Sequence, residues 1–222
     1  MGELESLETD EPLKQRRHRH WYDRLMMLTD GVFAIAITFL TFDITNPTGW
    51  TGDWAGFWAH FGPQLNAYAM SFLVISIYWL AHRRFMAMIL TVDAPVTVLT
   101  LLLLGLVALI PSATRLINGE FLFANARLVY AALVVAIGVA MAALWAYAAL
   151  IADLVSHEVS RRVRWFLLSR MLFTPPFFLL LTLAVPSPPP GVIPLLLVAL
   201  FLIGWPLRLW VVRRLGGSPY VA

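Results

Sequence analysis

The chain has 222 residues, of which 60% are hydrophobic and 13% charged, with a mean hydropathy of +0.76 and a net charge of +3. Soluble domains run at about 45–50% apolar and about 25% charged, so the solvent that fits this composition is lipid. At roughly 20 residues per crossing, little chain is left for a soluble catalytic domain. The lack of cysteine excludes disulfides, thiolate metal sites and lipidation on sulfur.

The chain starts MGELESLETDEPLKQRRHRH, too polar for the apolar core of a cleavable signal, so the first apolar helix is expected to direct its own insertion. Acidic and then basic, residues 1–20 read as a disordered cytoplasmic tail. The run Arg16-Arg17-His18-Arg19-His20 reads as a basic cluster beside the membrane rather than as a nucleic-acid patch. The first helix is expected from Tyr22 to Ile44, ended by Asn46-Pro47-Thr48-Gly49. The second runs from Pro63 to His82 and stops at Arg83-Arg84, and the third runs from Asp93 to Thr114. The fourth, Leu128 to Ala152, carries Ala132, Ala136 and Ala140 at a spacing that lets helices approach closely. The uncharged stretch Met171 to Leu207 is far too long for one crossing. Pro186-Ser187-Pro188-Pro189-Pro190-Gly191 divides it, giving a fifth helix, Trp165 to Val185, and a sixth, Val192 to Val212. The expected fold is all-α: a six-helix transmembrane domain over 21–214, with tails at 1–20 and 215–222.

Orientation follows from the basic residues. With the N-terminus inside, all 16 Lys and Arg except Arg115 and Arg127 fall on cytoplasmic segments, as the positive-inside rule requires. Both termini are therefore expected in the cytoplasm of a multi-pass protein of the cell membrane. Trp21, Trp50, Trp54, Trp58, Trp165 and Trp210 lie near helix ends, where interfacial tryptophans belong. No repeat of solenoid period and no match between halves of the kind seen in inverted-repeat transporters is visible.

The first helix differs from the rest. Asp30 is an ionisable group inside an apolar segment, a functional candidate by default, or else a structural group paired with Arg24 or a hydroxyl. Gly31, Ile35, Thr38, Phe42 and Thr45 recur at steps of 4, 3, 4 and 3, a narrow seam of the coiled-coil kind. Such a seam suits a packing line or, with several copies about an axis, a pore wall with apolar constrictions and a hydroxyl ring. Asp43, near the outer end, either draws cations to a mouth or is simply solvated. His60 and His82 do not read as metal ligands. His157-Glu158 lacks the second histidine of a metalloprotease helix, and no phosphate-binding loop or serine-nucleophile motif is present.

The run Arg24-x3-Leu28-Thr29-Asp30-Gly31-Val32-Phe33-Ala34-Ile35-Ala36-Ile37-Thr38 resembles the first-helix signature of the lysosomal potassium channel family called transmembrane protein 175, in its bacterial single-repeat members. Ser71-Phe72-Leu73-Val74-Ile75-Ser76-Ile77-Tyr78-Trp79-Leu80-Ala81-His82 in the second helix, with Asp93 and Pro111, extends the resemblance over about residues 20 to 115. Leu28-Thr29 stands where the signature has Phe-Ser, and Phe42 stands where an aliphatic residue is expected. The resemblance implies a homotetramer of six-helix subunits around a pore lined by the first helix, without the carbonyl filter loop of ordinary potassium channels. It implies pore layers at Ile35, Thr38 and Phe42, within the seam that also holds Gly31 and Thr45. It further implies a structural polar network of Arg24, Thr29, Asp30, Trp79 and His82.

The reading is a potassium-permeable cation channel and not an enzyme. It has no cofactor or bound metal beyond permeant potassium, and its partners are its own copies and membrane lipid, with no nucleic acid. The alternative is a proton-leak or proton-coupled cation transporter using Asp30 and His82.

Overall fold

The structure, a computed structural model, describes residues 13–45, 50–119 and 124–184 and isolated helical positions between Leu195 and Arg214. The described residues form helices joined by loops, the one β feature among them being an isolated bridge between Ile89 and Val155. Among the described residues, four helical segments are long and apolar enough to cross a membrane: His20–Asp43, Trp54–Met86, Ala94–Ile117 and Asn125–Ile151. The expected sixth helix lies largely outside the described residues.

Helix α1 spans Leu13–Phe39 and tightens into a 3-10 turn, Leu40–Asp43. Residues 13–20, expected as part of a disordered tail, are the start of this helix. Leu13, Lys14, Gln15, Arg16 and Arg17 are all good helix formers, and neither glycine nor proline interrupts them. The inward face carries Leu25, Thr29, Phe33, Ala36 and Leu40, all buried, at the three- and four-residue steps of one helix side. Toward its C-terminal end the hydroxyls of Thr38 and Thr41 donate to Ile35 O and Thr38 O at 2.9 and 2.7 Å. Such back-bonds to the preceding turn accompany the loosening of a helix.

Helix α2, Trp54–Met86, begins nine residues before Pro63, where the sequence expectation placed its start. Asp53 explains the earlier start. Its carboxylate accepts from Gly56 N at 2.7 Å and from the Thr51 hydroxyl at 2.9 Å, satisfying a free donor of the first turn. Those two bonds, the backbone one foremost, hold the Asp53 carboxyl below the usual carboxylate range. Pro63 lies inside the helix.

The expected third helix is two segments, α3 (Ala94–Ala108) and α4 (Ile110–Gly119). Pro111 cannot donate to the turn before it, and Leu109 N turns instead to Leu106 O at 3.1 Å. Asp93 caps α3 through Val96 N at 2.9 Å and accepts the Tyr147 hydroxyl at 2.6 Å. Helix α5, Ala124–Ala146, runs into a π-helical turn, Tyr147–Ile151. Helix α6, Arg161–Ala184, contains Pro175 and Pro176.

Ala132, Ala136 and Ala140 were expected to let helices approach closely, and a close approach is found on the same helix. Gly138 lies against α6, where an added Cβ would stand 2.1 Å from Pro175 Cγ; Ala132 is exposed and the other two alanines are half-buried. Between α2, α4 and α5 the buried hydroxyls satisfy one another. Ser71 Oγ lies 2.7 Å from Thr114 Oγ1 and 3.0 Å from the Tyr130 hydroxyl, and Thr114 also donates to Ile110 O. In a low-dielectric core each of these groups left alone would cost about 1–3 kcal/mol.

The loops after α2 and after α5 clasp each other at one end. Leu90 N donates to Leu154 O and Ser156 N to Met88 O. Arg164 braces the second loop through Ala149 O, Val159 O and an ion pair with Asp153. That pairing holds the Asp153 carboxyl below its ordinary range, so the clasp stays charged at neutral pH and weakens only as pH falls through the lowered value.

Candidate functional site

The first membrane span is the least buried of the four, 28% against 50% for the fourth, and its uncovered face is the seam. Gly31, Ile35, Thr38, Phe42 and Thr45 are all exposed, with Ile35 at 54% and Phe42 at 72%. They lie on the side of α1 away from the subunit core. Nothing lies within 4 Å of a Cβ added at Gly31, so the seam leaves open space for another helix or for water.

The Thr38 hydroxyl has a definite polarity. Its proton is committed to Ile35 O, so only lone pairs of Oγ1 remain to face outward. A hydroxyl held this way suits a cation better than an anion. Further along, the rings of Phe39 and Phe42 pack at 5.7 Å. The backbone N–H of Thr45 donates to Gln64 Oε1 at 2.9 Å, tying the end of the seam to α2.

The five residues expected as one polar network are only partly assembled. Trp79 Nε1 donates to Asp30 Oδ1 at 2.8 Å, joining α1 to α2, and the Arg83 guanidinium stacks over the Trp79 ring at 5.4 Å. Thr29, fully buried, donates to Leu25 O within its own helix. His82 is fully buried between Phe33 and Phe85, at ring distances of 6.2 and 4.9 Å, and neither ring nitrogen has a partner. Arg24 is exposed and bonds to none of the others. Asp30 is thus held by an indole N–H, and not by Arg24 or a hydroxyl.

Just beyond the C-terminal end of α1, Asp43 is paired. Arg115 Nε of α4 donates to Asp43 Oδ1 at 2.8 Å. Sequence reading left Asp43 between two roles and gave Arg115 none. Pairing across 72 residues has no local signature, although an acid and one of the two basic residues expected off the cytoplasmic segments were a clue to it. At the opposite end an open cavity of about 540 Å³ lies between the π-helical turn and the start of α6, lined among others by Asp153, His157, Arg161 and Arg164. Among the described residues no cluster of three or more His, Cys, Asp or Glu side chains could hold a metal ion.

These features define a multi-pass helical membrane protein whose first helix keeps a polar-dotted face uncovered. Comparison with known proteins gives its family. The family model of the endosomal/lysosomal potassium channel TMEM175 matches residues 24–111. A potassium channel of Streptomyces collinus is 39% identical over 129 residues, a match covering 55% of this chain and 62% of that protein. A potassium channel of Chamaesiphon minutus is 30% identical over 148 residues, covering 62% of this chain and 71% of that protein. The crystal structure of a lysosomal potassium-selective channel TMEM175 homolog from Chamaesiphon minutus superposes with a TM-score of 0.64 at 27% identity, over 85% of this chain and 98% of that one. The chain belongs to the TMEM175 family.

Proposed function

We propose that this chain is one subunit of a homotetrameric, potassium-permeable cation channel of six transmembrane helices per subunit, with both termini in the cytoplasm. Four copies of α1 turn the seam of Gly31, Ile35, Thr38, Phe42 and Thr45 toward a common axis. The observation that carries this reading is the exposed seam itself. Thr38 and Thr45 stand on a face that the subunit leaves open; the Thr38 proton is already given to Ile35 O, and its oxygen lone pairs are left to water, an ion or another subunit. The names of the relatives agree with it. In this arrangement Ile35 forms an apolar ring that conducts only when it widens or wets. Thr38 offers oxygen lone pairs to a partly dehydrated ion one turn further out, and Phe42 narrows the outer mouth. Asp30, held by Trp79, anchors the pore helix and is not a conducting group.

The test joins native mass measurement of the purified protein with planar-bilayer recording. A tetramer giving single-channel steps and a potassium-selective reversal potential is expected. Monomers, or slow saturable flux obligatorily coupled to protons, contradict the channel and favour a transporter.

A further inference from the structure

Asp43 lies on the turn between Phe42 and Thr45 of the seam, with its carboxylate 5% exposed, while the partnered Arg115 guanidinium is 72% exposed. Arg115 comes from α4, the segment set off by the break before Pro111. It is one of only two basic residues expected outside the cytoplasmic segments. The most solvent-facing charge of the pair is therefore the positive one, beside the outer end of the helix proposed to line a cation pathway. A strap made only to fasten two helices has no need of an exposed cation at that place. A fixed charge near a pore mouth changes the local concentration of the permeant ion.

We propose that the Arg115–Asp43 pair sets cation entry at the outer mouth, holding the fixed charge there near neutral and so limiting conductance when salt is low. This inference rests on the pore reading above. Each substitution in the pair changes the mouth charge by one unit in every subunit at once, whatever other contacts either side chain makes. Screening sets where the effect is visible. The Debye length is about 30 Å at 0.01 M salt, long enough to span a vestibule, and about 3 Å at 1 M, too short to matter.

The experiment is single-channel recording of Arg115→Gln, Asp43→Asn and the double variant in symmetric potassium chloride at both concentrations. Arg115→Gln should raise conductance roughly two- to five-fold at about 0.01 M and leave it within about a fifth of wild type at about 1 M. Asp43→Asn should lower it by a similar factor at low salt only, and the double variant should return near wild type. Arg115 is exposed, so its substitution costs the fold little. If Asp43→Asn does not assemble, the sign and salt dependence of Arg115→Gln decide alone. If both single variants lower conductance, or if the changes persist at about 1 M, the pair is only a mechanical strap and the proposal is overturned. Absence of any wild-type current would overturn the pore reading itself and this inference with it. A wild-type channel whose variants show no salt-dependent change would overturn this inference alone.

Discussion

Helices α1 and α5 are built from similar material and end in opposite situations. Both belong to spans of high mean hydropathy, 1.9 and 2.4. Helix α5 belongs to a span half buried inside the subunit: Tyr130, Val134, Ile137, Met141, Leu144 and Trp145 are buried. What it leaves outside along its middle is Leu128, Val129, Ala132, Val139 and Ala143, all groups that lipid solvates at no cost. Helix α1 leaves outside Ile35, Phe39 and Phe42, and with them Asp30, Gly31, Thr38, Thr41 and Thr45. In a bilayer an exposed apolar side chain carries no information, because lipid tails are as apolar as leucine. What separates the two helices is the row of polar groups on the open side of α1.

The largest break in this comparison comes from one change at the packed helix and its counterpart at the open one. Gly138→Leu drives a side chain into Pro175, whose Cγ lies only 2.1 Å from where the new Cβ would stand. Overpacking of this kind costs roughly 1–3 kcal/mol and often more. Assembled protein should fall sharply in detergent size-exclusion and thermal-melt measurements. Gly31→Ala meets nothing within 4 Å inside the subunit, so its melt should stay near wild type while its current changes. If Gly31→Ala also collapses the subunit, the open face is not open.

Next in size is Ile35→Asn. Replacing a stiff β-branched ring by amides that hydrogen-bond water lowers the barrier to wetting. Basal bilayer current should rise several-fold with weaker discrimination of potassium from sodium, whereas Val139→Asn on α5 should leave the permeability ratio alone. An unchanged current and reversal potential in Ile35→Asn would remove Ile35 from the constriction. Thr38→Ala should act more narrowly. It deletes the outward lone pairs and keeps the helix, so the reversal potential in a potassium–sodium gradient should move toward zero with little change in current. A Thr38→Ala channel of undiminished selectivity would move the filter elsewhere.

The smallest effect belongs to Asp30→Asn. The amide oxygen can still accept from Trp79, so about 1 kcal/mol of hydrogen-bond strength is at stake. Assembly or melting temperature should drop modestly before selectivity changes. A well-assembled Asp30→Asn channel that has lost its potassium preference would make Asp30 a conducting group after all.

Much of this was legible in the sequence because hydropathy is a local signal with a large energy behind it. The four apolar segments among the described residues and the seam from Gly31 to Thr45 follow from composition and spacing. What stayed hidden depends on partners far along the chain. The break before Pro111 was readable from proline, yet an unbroken apolar run masked it. The extended start of α2 depended on Asp53 acting as a cap, which only the turn at Thr51 reveals. His82 was grouped with Asp30 through the family resemblance. The structure turns its ring into an aromatic pocket of Phe33 and Phe85 instead. The hydroxyl cluster of Ser71, Thr114 and Tyr130 and the pair of Asp43 with Arg115 join residues 43 to 72 positions apart, and no periodicity reports such meetings.

The claim that the open face of α1 lines a water-filled path can be tested directly because the chain has no cysteine. Single cysteines at Ile35, Thr38 and Phe42, and as controls at Val129 and Val139 of α5, would be exposed to a charged, membrane-impermeant thiol reagent during bilayer recording. The account predicts that modification at Thr38 and Phe42 blocks current within the recording, that Ile35 reacts when the channel conducts, and that neither α5 position responds. Current that is blocked from the α5 positions while the α1 cysteines stay inert would contradict it.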